Sequence, residues 1–198
     1  MIPAISPDVF RDKKHRKLKW TVSVAAYALG ATLTGSVVGA GLGWLGSWLP
    51  VLPFAPIGLA VLAFLYSLRE LSLLRVPLPQ IGKQAPSGWR VRFHPWLSAY
   101  FYGAYFGLCV LHLSFVSTFF VVLLWAFVIA DPLASAAIMG AYGFSQALPI
   151  AFVAWRVDSP DRAYDIGRAV VKRGDAVHRI NGLSLAAAAA IVMLVPFL

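Results

Sequence analysis

Cysteine, acidic side chains and charge in general are scarce in this chain of 198 residues. Its one cysteine, Cys109, excludes an intrachain disulfide and any Cys-x-x-Cys metal or redox pair. Charged residues make up only 13% of the chain and apolar ones 60%, against about 25% charged in an average soluble domain. A soluble fold of this size cannot hide so much apolar surface, so lipid is expected to solvate part of it. There is no nucleotide loop, no HExxH, no G-x-S-x-G and no pair of carboxylates within an apolar segment. These absences leave no catalytic residue, no metal site and no cofactor to assign. The length suits one membrane domain without a second folded one.

The chain is rich in segregated positive charge. All 17 lysines and arginines fall in three windows: residues 1–19, 69–92 and 156–179. A bilayer imposes this pattern, because lysine and arginine are retained on the cytoplasmic side. The net charge of +9 is therefore read as topology, not as a nucleic-acid surface. Residues 1–19 form a basic arm suited to an anionic cytoplasmic leaflet. The apolar run that follows, Trp20–Leu49, is too long for a signal peptide and reads as an uncleaved anchor.

The expected fold is all-α: a polytopic membrane bundle of about five spans, N-terminus inside and C-terminus outside, in the inner membrane of a bacterium. The spans fall at about 20–49, 53–71, 96–130, 133–155 and 180–198, with cytoplasmic loops at 72–94 and 156–179. Residues 20–198 form a single domain. Pro95–Ala130 is over-long, about 54 Å as one helix at 1.5 Å per residue, so it is kinked, re-entrant or partly interfacial. Pro149 interrupts the fourth span. Ser159-Pro160-Asp161 opens an interfacial helix that weakens at Gly174. Arg69-Glu70 reads as a pair snorkelling to the interface. A faint two-fold echo links Ala63–Leu68 with Met139–Phe144 and Leu74-Arg75-Val76 with Trp155-Arg156-Val157.

Ala31, Gly35, Gly39 and Gly43 recur every four residues and make one smooth helix face, repeated by Gly103 and Gly107. Such a face admits a neighbouring backbone. The alternative is a locally unwound stretch at 30–36, where Thr32, Thr34 and Ser36 line a substrate path. His112 is the one strongly ionisable side chain deep in a span. It serves as a hydrogen-bonded packing residue, as a proton relay or substrate contact with Ser114, or, with Cys109 one turn away, as a contact for a soft metal ion. Two ligands are too few for a structural metal site. Ser145-Gln146 reads as interhelical glue.

Tyr27-Ala28-Leu29-Gly30, Ala141-Tyr142-Gly143-Phe144-Ser145-Gln146-Ala147-Leu148-Pro149 and His178-Arg179-Ile180-Asn181-Gly182-Leu183-Ser184-Leu185 give the chain its resemblance to the CcdA/DsbD-type thiol–disulfide carriers. That family's work needs a cysteine beside proline in each half. Here Cys109 has no proline beside it and the region around Leu33-Thr34 has no cysteine. The resemblance therefore implies the scaffold without the two-cysteine relay. On this reading the chain is a small transporter- or carrier-like protein, its path running between the glycine face and His112. The alternative is a non-transporting subunit or assembly and anchoring protein of a larger membrane complex. Its partners are the bilayer, a membrane protein or a second copy of itself, with no nucleic acid.

Overall fold

The computed structural model describes residues 16–49, 54–77, 88–108, 117–156, 165–166, 168–169 and 172–194. The described residues are helical throughout their regular structure: α1 (Arg16–Ser47), α2 (Ala55–Glu70), α3 (Trp89–Arg92), α4 (Pro95–Gly107), α5 (Thr118–Val128), α6 (Pro132–Ser145), α7 (Ala147–Arg156) and α8 (Gly174–Leu194).

The helix ends follow from local chemistry. Pro56 and Pro95 sit in the first turns of α2 and α4, where the missing N–H has no intrahelical partner to lose. Two residues with positive φ close helices, Ser72 at 61° and Ala130 at 55°. Beyond α2, the Ser72 N–H donates to Arg69 O and the Leu73 N–H to Leu68 O, each at 2.9 Å, the bond pattern of a Schellman cap. Beyond α5, the chain turns through Ala130 into Asp131, whose Oδ1 accepts from the N–H groups of Leu133 and Ala134 at 2.7 and 2.9 Å. Ser135 Oγ donates to Ala126 O at 2.5 Å and takes up a carbonyl left without partner at the end of α5. Asp131→Ala should cost about 1 kcal/mol through loss of this cap, measurable as a lower thermal midpoint, with Asp131→Asn close to the parent.

The break between α6 and α7 at Gln146 has a cause in Pro149. Proline cannot donate to Ser145 O, four residues earlier, and its ring crowds that carbonyl.

α1 is the axis of the assembly. Its main partners are α4, which approaches Tyr27–Thr34, and α6, which approaches Ala31–Gly43. Close approaches pair Tyr27 with Gly103 and Ala31 with Gly107, so α4 runs parallel to α1. Gly35 meets Met139, Gly39 meets Ser135 and Gly43 meets Asp131, so α6 runs antiparallel. α2 packs on α8, and α5 joins this pair to α1 through Val121 on one side and Phe119 and Ala126 on the other.

Two helices among the described residues are long and apolar enough to cross a membrane, Lys17–Ser47 and Gly174–Leu194. This overturns the five-span count. A span needs about 20 residues, and α2, α4, α5, α6 and α7 have 16, 13, 11, 14 and 10. Apolar composition had joined segments that backbone breaks divide. The all-α character stands. The two-fold echo is also corrected: α2 pairs with α8 whereas α6 pairs with α1, so the echoing segments occupy unlike places. Gly174 opens α8 directly after a turn at Arg173, with Lys172 helical before it.

Candidate functional site

α2, α5 and α8 bring together a polar cluster at their meeting point. Glu70, the last residue of α2, has a side chain with no exposed surface. Its Oε1 accepts from the Ser117 N–H at 2.9 Å, from Ser117 Oγ, and from Arg69 Nη1 at 3.0 Å. Its Oε2 lies 2.5 Å from His178 Nδ1. Arg69 is held as well: Nε donates to Val76 O at 2.9 Å and Nη1 to Ser117 Oγ at 3.1 Å. One turn along α8, Asn181 Oδ1 accepts from Thr118 Oγ1. Both ends of the carboxylate are satisfied, as a buried charge requires.

Local sequence explains the convergence. The Schellman turn at Ser72 folds the chain back, so that Val76 O reaches the Arg69 guanidinium of the same helix end. Ser117 precedes α5 and offers both N–H and hydroxyl toward Glu70. Gly182 lets α8 close on α2, because a Cβ there would lie 2.9 Å from Leu71 Cγ and 3.2 Å from Glu70 Cβ. Burial raises the Glu70 pKa, but the hydrogen bonds from Ser117 and His178 and the attraction of a charged His178 outweigh it. The net shift is downward from the ordinary 4.5, so the carboxylate is ionised at neutral pH. Glu70 lies outside the two candidate spans.

The order of contacts limits the chemistry. Glu70 bridges Ser117 and His178, so the Ser117 hydroxyl donates to a carboxylate, not to the imidazole that would activate it as a nucleophile. No three His, Cys, Asp or Glu side chains gather into a metal site among the described residues. What the cluster can do is clamp three helices and hold the imidazole in one orientation. His178 and Arg69 retain 37% and 28% side-chain exposure, and both face a cleft of about 470 Å³ that Ser72 and Arg75 also line.

The residues singled out from sequence lie elsewhere. Cys109, His112 and Ser114 fall outside the described residues. Thr32, Thr34 and Ser36 sit on α1, which is helical without interruption, so the unwound segment is not there. Thr34 Oγ1 donates to Gly30 O at 2.7 Å, and Ser36 Oγ meets Gly140 of α6; none of the three lines the cleft. Ala31 is wholly buried, and Gly107 and Gly143 approach its carbonyl from α4 and α6. Gly35, Gly43 and Gly103 meet backbone in the same way: a Cβ would lie 2.6 Å from Met139 O, 2.5 Å from Asp131 O and 2.8 Å from Tyr27 C respectively.

Sequence reasoning missed the cluster by treating Arg69-Glu70 as a snorkelling pair. One signal was available: Glu70 is the chain's sole glutamate and the one acid in the 69–92 window.

No protein-family profile and no solved structure matches the chain. Among curated proteins it is similar to the methylamine utilization protein MauF of Methylophilus methylotrophus, 33% identical over 127 residues, which are 63% of this chain and 44% of the relative. The MauF proteins of Methylobacillus flagellatus and Paracoccus versutus are 31% and 33% identical over 140 residues, 68% of this chain and 48% and 50% of theirs. The chain spans about half the length of the curated relatives it matches. These matches overturn the resemblance to CcdA/DsbD-type carriers: the relatives bear the name of a different family. Glycine and leucine carried that resemblance, and any closely packed membrane helix is rich in both.

Proposed function

We propose that the chain is a methylamine utilization accessory protein, a helical membrane-associated unit that works within a larger assembly and does not itself transport solute. The shared name of its relatives, at 31–33% identity over about two thirds of the chain, carries this reading. The transporter reading is withdrawn. It rested on a path between the glycine face of α1 and His112; that face is closed against α4 and α6, and His112 lies outside the described residues.

The proposed location is the bacterial inner membrane. The basic residues ahead of α1 support placing the start of that helix on the cytoplasmic side. Residues 1–19 act as a basic arm against the anionic leaflet and 20–198 as one domain. The glycine stripes of α1 and α4 act in packing, with Ala31, Gly35, Gly39, Gly43, Gly103 and Gly107 as their contacts. Thr32, Thr34 and Ser36 serve that packing too, with no substrate role.

Deletion of the gene from its own host should abolish growth on methylamine as sole nitrogen source and leave growth on ammonium unchanged. Liposomes carrying the purified protein should take up radiolabelled methylamine no faster than empty ones. Normal growth of the deletion strain on methylamine overturns the accessory role, and protein-dependent uptake overturns its non-transporting character.

A further inference from the structure

We propose that the cleft beside Glu70 binds a phosphate oxyanion, using Arg75, Arg69 and Ser72 as its donors, with His178 at its wall. The inference rests on the local hydrogen-bond inventory and is independent of the methylamine reading.

A guanidinium has five N–H donors. In Arg69, Nε–H and both hydrogens of Nη1 are taken, by Val76 O, Glu70 Oε1 and Ser117 Oγ. The Nη2 pair has no partner among the described residues, and the three bonds hold the group rigidly at the wall of the cleft. Arg75 is exposed and makes no hydrogen bond or ion pair among the described residues, so its whole guanidinium is available. His178 has its Nδ1 on Glu70, so its Nε2 serves as a donor only in the protonated imidazolium form. Ser72, pinned by its positive φ at the turn, adds a hydroxyl.

The single acid of the cleft cannot compete for this ligand. The Glu70 side chain has no exposed surface, and its two oxygens are already engaged. Among the described residues the accessible face therefore presents two guanidinium groups and no accessible carboxylate. Planar forks of this kind match phosphate oxygens, and charge-assisted bonds to them are about twice as strong as neutral ones. The volume of about 470 Å³ admits a phosphate ester with part of its substituent. The cleft also lies beside the first turns of α8, a candidate membrane helix. The phosphate can thus belong to a lipid headgroup or be free in solution, and the chemistry of recognition is the same.

The test uses the full chain in phosphatidylcholine nanodiscs, titrated calorimetrically with short-chain phosphatidylglycerol and, separately, with inorganic phosphate. Saturable binding of either is expected. Arg75→Gln should weaken it about tenfold, as loss of a charge-assisted bidentate partner does. Lys17→Gln, the same charge change at the start of α1 away from the cleft lining, should leave it unchanged. Phosphatidylglycerol binding that inorganic phosphate does not displace identifies the lipid headgroup as source; displacement identifies the free anion. No saturable binding of either ligand, or equal weakening by both substitutions, overturns the proposal.

Discussion

Gly39→Ala should be among the most damaging single substitutions in this chain, costing about 3 kcal/mol or more. A methyl group there would land on the carbonyl oxygen of Ser135 and lie 2.8 Å from Met139 Cβ. The obstacle is backbone of a packed helix, so no side chain can rotate away and α1 must part from α6 along its length. Gly41→Ala is the matching control. It lies two residues away on the exposed side of the same helix, with nothing within 4 Å of the added carbon, and should gain up to about 1 kcal/mol from helix propensity. Thermal unfolding of both variants in one detergent checks the prediction. Equal effects in the two would mean that the glycine face does not carry the α1–α6 contact.

Glu70→Ala should be comparably severe, about 3 kcal/mol. It leaves the Ser117 N–H without acceptor and Arg69 and His178 beside a hole, and orphaned buried donors cost more than a satisfied bond contributes. Glu70 also makes stability depend on pH. Its folded pKa lies below the unfolded value near 4.5, so the folded state binds the proton less readily than the unfolded one. The stabilisation is complete above the unfolded pKa and is lost as pH falls from there through the folded pKa. Unfolding midpoints should therefore drop in that acidic window for the parent and stay flatter in Glu70→Gln, which keeps the shape but not the titration. Parallel pH profiles for the two would show that another group sets the acid limit.

Much of the local structure was written in the residues next to it. The spans expected to begin at 96 and 133 have their helix starts at Pro95 and Pro132, because proline geometry and an acid cap act over one turn. Pro149 breaks the fourth apolar stretch for an equally local reason. Apolar composition misled where it was asked for long-range facts. It made 53–71 and 133–155 whole spans, although length and backbone breaks leave α1 and α8 as the two candidates among the described residues. His178, placed by its polar neighbours in a cytoplasmic loop, lies inside α8.

The sequence by itself determined that the chain is helical, apolar and charge-segregated, since these follow from composition and periods of a few residues. It also determined where small residues form a stripe, because a spacing of four returns to one helix face. Only the tertiary structure decided what that stripe meets, and that Glu70 is a buried hub and not a surface charge. Ser117 and His178 lie 47 and 108 residues away from it. No local pattern encodes such a meeting, because it depends on how α2, α5 and α8 pack and on the room that Gly182 leaves between two of them.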